Sequence, residues 1–415
     1  MPTPELLRKY ARLIVRAGLS VQPGQPVQIS AQLSAAPLVE AVAAESYAAG
    51  SGEVEVVWSS PVLTRLRLEN LTPDQLSAPP AWQITQRNDM AEKGGAVLQI
   101  DSGSCRVLSG VDPAKIAVST RAIRSACRPF YDAMDAGKIQ WCIVGCPDAG
   151  WAKDLFPDLP EAEGIEKLWE LITPILRLDA DDPLAAWEAH RASFDRRVQK
   201  LNALQLDSLH YSAPSTGTDL TLGLPKNHVW IGGGEYLHDS PVYFFPNMPT
   251  EEIFTSPDRL RTNGYVRASM PLSYNGSLID GFWFRFENGR VTDFGAETGL
   301  ETLRQMLQLD EGMHFLGECA LVPMDSPIAR INTLFYKTLF DENASCHLAL
   351  GDGMSECVQG GLEMTQEQLL AAGVNSSLSH TDFMFGTPDL SITGRTSDGK
   401  VIPIMQNGLF TGELA

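Results

Sequence analysis

Apolar positions recur three and four apart through much of the first 200 residues, then give way to short runs and alternations between turns. Leu6, Tyr10, Leu13 and Ile14 line one face of an opening helix. Residues 26–30 read as a strand, and Ser34 offers an N-cap for a helix over 37–49 that Gly50 ends. Strand patterns return at 53–58, 96–100 and 141–145, with a helix over 113–136 before the last of them. This β-α-β rhythm predicts a mainly parallel sheet covered by helices. Helical patterns over 161–178 and 184–204 flank a turn at 179–183.

Beyond Leu206 the pattern shortens. Strands at 242–245, 278–286 and 401–404 stand among Gly, Asn and Pro turns, and Asn288-Gly289 marks a tight hairpin. Helical spacing returns only at 302–309, 329–340 and 366–372. The expected architecture is an α/β N-terminal domain over 1–190, with a mainly parallel sheet, and a β-rich α+β C-terminal metal-binding domain over 191–415. No GxGxxG or P-loop follows any strand, so nucleotide binding has no support.

The candidate chemistry lies in the second half. His347 follows Glu342 by five residues and opens a short apolar run that Gly351 ends. On one helix these two side chains would diverge. They converge only if the chain turns near Ser345 and a strand starts at His347. In 379–383 a strand would point His380 and Asp382 to one face. Imidazole nitrogens and carboxylate oxygens suit Zn, Mn, Co or Fe, so these stretches are expected to build one metal site. Glu318 stands alone in the apolar strand 315–322, either as a ligand or as the buried partner of an Arg or a helix end. Glu251 and Glu252 follow a proline turn, either as ligands or as a solvated turn. Cys319 and Cys346 neighbour candidate ligands but would face the opposite way, and read as packing. Cys142 and Cys146 read as a buried pair without a CxxC signal. His190, on a charged helix, and His210, His228, His238 and His314 read as structural or solvated.

Composition narrows the partners. The net charge of −19 repels nucleic acid and an anionic membrane surface, and tolerates metal ions or a cationic substrate. No apolar run has the length of a membrane span, and the mixed charges near the N-terminus lack a signal-peptide core. Seven irregularly spaced cysteines fit reduced thiols, and with them a cytoplasmic location.

Seven stretches carry a resemblance: NMPTEEIFT at 247–255, LGECALVP at 316–323 followed by DSPI, TLFDENASCHLALG at 338–351, NSSLSHTDFM at 375–384, QNGLF at 406–410, WCIVGCPDAGWAKDLFP at 141–157 and GTDL at 217–220. Together they resemble the metal-dependent aminopeptidases typified by aminopeptidase T and aminopeptidase S. The resemblance implies a two-metal exopeptidase, usually a homodimer, that removes residues from peptides with a free amino terminus through a metal-activated water. Carried onto this chain, the ligands of two divalent ions (Zn, Co, Mn or Mg) are Glu252, Glu318, Glu342, His347, His380 and Asp382, with Glu318 as the bridge. Glu251 is then the general base, although adjacency also permits the reverse assignment with Glu252. One position departs from the family, which places a tyrosine where this chain has Met354. A thioether donates no hydrogen bond, which puts the peptidase rate in question. Two other readings stand beside this one. His347, His380 and Asp382 would supply the facial triad of a mononuclear iron dioxygenase resembling dihydroxypyridine-cleaving enzymes. Alternatively, the chain is a catalytically weak relative that binds peptide or metal.

Overall fold

Four strands of the first part pair in parallel. Val27–Gln32 lies between Val54–Ser59 and Ala96–Asp101, and Trp141–Gly145 follows Ala96–Asp101. Parallel neighbours need crossovers, and helices such as Ala36–Ala48, Ala81–Glu92 and Pro113–Ala126 lie between successive strands. Val27, Ile29, Leu98, Ile100 and Val144 are buried, as strands covered by helices require. A fifth strand, Asn247–Met248, adds parallel to Trp141–Gly145 from far downstream. The computed structural model describes residues 2–274 and 276–415. Its chain divides into two compact units, Met1–Ala189 with Gly234–Pro249 and His190–Gly233 with Thr250–Ala415. A strand stands at Tyr243–Phe244 within the run expected over 242–245, but strands of two residues give no sign that 234–249 belong with the first unit rather than the second.

Several elements differ from their sequence expectation for identifiable reasons. Ser34 is not an N-cap: a 3-10 turn, Leu33–Ala35, precedes the helix, and the Ser34 hydroxyl donates to Asp148 instead, at 2.7 Å. The helix expected over 113–136 breaks into Pro113–Ala126 and Arg128–Asp135, since Pro129 fits only a first helical turn. The helix expected over 329–340 becomes two single turns, Pro327–Ile331 and Thr338–Asp341. Asn332 and Tyr336 between them take left-handed φ values of 49° and 57°.

The second unit is antiparallel. Its eight-stranded sheet runs in the order Arg290–Gly295, Trp283–Glu287, Thr262–Arg267, Thr218–Gly223, Leu206–Ala213, Ser391–Thr396, Val401–Gln406, Leu409–Phe410. The hairpin at Asn288-Gly289 forms as expected, with φ of 51° and 85° at its two loop residues. A five-stranded antiparallel sheet runs His380–Met384, His347–Gly351, Leu316–Leu321, Ile253–Thr255, Ile231–Gly232. Leu209, Tyr211, Leu220, Val266 and Phe284 of the larger sheet share one core with Cys319, Leu348, Leu350 and Phe383 of the smaller. Phe284 meets Phe383 at a ring separation of 5.2 Å, and Tyr211 meets Phe385 at 5.4 Å. Each such buried side chain contributes about 1.5–3 kcal/mol. The core therefore holds one face of the smaller sheet firmly and leaves the other to chemistry.

Candidate metal centre

Strand alternation decides which side chains reach that other face. Leu348, Leu350 and Phe383 point into the core, so His347, His380 and Asp382 point away from it. In Leu316–Leu321 a register shift falls between Leu316 and Glu318. With Gly317 as the extra residue, Leu316 and Cys319 can both face the core while Glu318 faces the donors. Cross-strand partners on the donor face are small: Ala349 lies between Glu318 and Asp382, and Gly351 pairs with His380. The larger polar side chains consequently have room to meet.

Gly317 serves a second purpose. A Cβ at this position would lie 2.1 Å from the Asp352 carbonyl oxygen, well inside contact distance. That same carbonyl accepts the Nδ1 proton of His380, at 2.7 Å. We expect Gly317→Ala to lose about 1–3 kcal/mol of stability by overpacking, checked by denaturant unfolding. Unchanged stability would mean that the Asp352 carbonyl yields freely.

His347 makes the matching contact, donating from Nδ1 to the Ser345 carbonyl at 3.2 Å. Both rings thereby turn Nε2 toward the acids, the arrangement in which a neutral imidazole offers a lone pair to a metal. His347 Nε2 lies 3.0 Å from Glu252 and 3.7 Å from Glu318. His380 Nε2 lies 2.9 Å from Glu318 and 3.1 Å from Asp382. Two donor groups result, Glu252–Glu318–His347 and Glu318–His380–Asp382, and Glu318 belongs to both. Glu342 and Glu251 fall in neither group. Glu342 begins a 3-10 turn, Glu342–Ala344, and Ser345 is extended, so the chain turns before His347 as its sequence spacing required.

The electrostatics describe a site short of positive charge. Removal from water pushes the Glu342 carboxyl well above its usual range, and Glu252, Asp382 and Glu318 push it further. Burial raises Glu252 as well, against the pull of His347. Burial alone would also raise Glu318, but His347 and His380 outweigh it and hold this carboxyl at about 2. Burial opposes charge on both rings, yet Glu252 and Glu318 raise His347, and Asp382 and Glu318 raise His380, well above the ordinary imidazole value. Ionising all four carboxyl groups would take more positive charge than the two imidazoles supply. Divalent ions fit this donor set, since they would supply the missing charge to nitrogen and oxygen ligands of the right kind.

Four residues complete the surroundings. Glu251 is buried, with its carboxylate 3.7 Å from His190 Nε2. His190, read from sequence as structural, is therefore brought beside the acids, a placement that no local pattern on its helix signals. Asn343, also missed, is fully buried and takes the Glu251 N–H on Oδ1 at 2.6 Å. Met354 is half-buried, and its N–H donates to the buried Ser256 hydroxyl at 2.9 Å. Cys319 and Cys346 are packed in the core, as their strand positions indicated, and Cys142 and Cys146 are buried thiols. The His238 ring lies 3.4 Å from the carboxylate of its exposed neighbour Asp239.

Three acids and two histidines in two overlapping groups, Glu252–Glu318–His347 and Glu318–His380–Asp382, are the donor set of a metal-dependent class. The chain belongs to the thermophilic metalloprotease family M29, whose model matches residues 3–410. Over 409 residues it is 42% identical to aminopeptidase 2 of Geobacillus stearothermophilus, covering 99% of this chain and 98% of that protein. It is 38% identical to aminopeptidase T of Thermus aquaticus, covering 97% of this chain and 98% of the relative. Wild-type AmpT from Thermus thermophilus superposes with a TM-score of 0.91 at 37% identity, over 98% of this chain and 99% of that one.

Proposed function

We propose that this protein is a two-metal aminopeptidase that cleaves the first peptide bond of substrates with a free amino terminus. The observation that supports it best is Glu318, shared by both donor groups. Glu252, Glu318 and His347 would hold one divalent ion and Glu318, His380 and Asp382 the other, with Glu342 as the sixth ligand. Zn, Co, Mn and Mg are the candidates. Ions bound there would polarise the scissile carbonyl and lower the pKa of the attacking water. Glu251 would act as the general base, taking a proton from the attacking water and returning it to the leaving amine. The excess of carboxylates also favours a substrate ammonium.

A single-iron dioxygenase centre on His347, His380 and Asp382 has no support among the relatives, which are aminopeptidases. His347 falls in one donor group and the other two residues in the second, and three glutamates would be left as surplus anions. Met354 is what favours a catalytically weak binding relative, and its test is given in the Discussion. A homodimer is supported by the family resemblance. An odd number of cysteines, seven at irregular spacing, supports a reducing, cytoplasmic setting. Among the described residues no helix is long and apolar enough to cross a membrane.

The test compares a metal-loaded sample on a dipeptide amide and on its N-acetyl form. Loss of one charge-assisted interaction should lower kcat/KM by on the order of tenfold to a hundredfold. Equal cleavage of the two would sink the amino-terminal reading.

A further inference from the structure

Thr250 and Glu251 share one peptide bond, and it lies outside any strand, since Ile253–Thr255 begins two residues later. Both polar atoms of this peptide are nevertheless held, each by a side chain. Its carbonyl accepts from His190 Nε2 at 2.8 Å, and its N–H donates to Asn343 Oδ1 at 2.6 Å. A carbonyl can only accept, so Nε2 of His190 carries the proton.

The two holders are themselves fixed. His190 sits edge-on to Phe194, with ring centroids 4.6 Å apart, and its side chain is 12% exposed. Asn343 is wholly buried and donates its Nδ2 to the Leu339 carbonyl at 2.9 Å. That bond fixes which end of the amide faces Glu251. The plane pinned in this way leads directly into Glu251 and Glu252. A tilt of that plane would swing both carboxylates.

We propose that His190 and Asn343 are positioning residues that lock the Thr250–Glu251 peptide plane and so aim Glu251. The inference rests on the aminopeptidase reading, in which Glu251 is the base. Reacting groups must be held closely, and a displacement of about 1 Å can cost about a hundredfold in rate.

His190→Phe keeps a ring against Phe194 and removes the donor, while His190→Gln restores an N–H donor. Kinetics on a free-amine peptide should show kcat lowered by about tenfold to a hundredfold in His190→Phe, with KM and metal content close to wild type. His190→Gln should recover most of the loss. Asn343→Ala should act on the same plane, so the double variant should lose less than the product of the single losses. Hydrogen exchange at the Glu251 amide should quicken in His190→Phe and return in His190→Gln. Unchanged kcat or unchanged exchange in His190→Phe, or no recovery in His190→Gln, would overturn the proposal. If the metal-loaded wild type cleaves no free-amine peptide, the aminopeptidase reading fails by itself. The amide exchange still decides whether His190 locks this plane.

Discussion

Glu318→Gln is expected to lower bound metal from two divalent ions per chain to none. Glu318 is the one residue common to both donor groups, with its two oxygens turned to different imidazoles: one lies 3.7 Å from His347 and the other 2.9 Å from His380. The amide keeps the shape and removes the charge that two cations would share. It also leaves a carboxamide where both rings are oriented toward an anion, so neither half of the site survives intact. Metal-supplied stabilisation of several kcal/mol, at about tenfold per 1.4 kcal/mol, implies a fall in rate of about a thousandfold or more. Metal analysis after dialysis, alongside kcat, checks both parts. One ion retained at full occupancy would make Glu318 a terminal ligand, with the two positions independent.

The second large effect is a gain. Met354→Tyr should raise kcat about a hundredfold, the contribution of one hydrogen-bond donor to a developing oxyanion. KM and metal content should change little, because such a bond strengthens mainly in the transition state. The backbone at this position is already anchored, since Ser256 Oγ accepts the Met354 N–H at 2.9 Å. Ser256 also follows the strand Ile253–Thr255, which leads on from Glu252. The new phenol would therefore start from a fixed point close in sequence to a proposed ligand. A crystal structure of the variant with the phenol at the metals, yet no gain in rate, would show that the tyrosine is not the missing element. The native substrate would then have to be sought elsewhere.

The parts of the site that could be read from sequence were those governed by strand alternation or by the cost of burying charge. His380 and Asp382, two apart in a strand, had to share a face. Glu318, a lone acid among Leu, Cys and Ala, had to find a cation or a partner. Glu342 and His347 could meet only through a turn, and the 3-10 turn Glu342–Ala344 supplies it. Glu251 and Glu252 lie in irregular chain, where no period assigns a face, and only the family resemblance distinguished them from a solvated turn. His190 was discounted because helix spacing reports neighbours three and four residues away, whereas its hydrogen-bond partner is sixty residues distant. The same limit hid the return of 234–249 to the first unit. The helix expected over 329–340 failed for another reason: its apolar spacing is helical, but Asn332 and Tyr336 take left-handed backbone that a helix cannot contain.

The most direct test of a two-metal aminopeptidase is a titration of chelator-stripped protein with Zn, Co or Mn, following hydrolysis of a free-amine dipeptide amide at each step. No hydrolysis is expected without metal, and full activity only as the second equivalent per chain is bound. Full activity at one equivalent, or hydrolysis by the stripped protein, would contradict it.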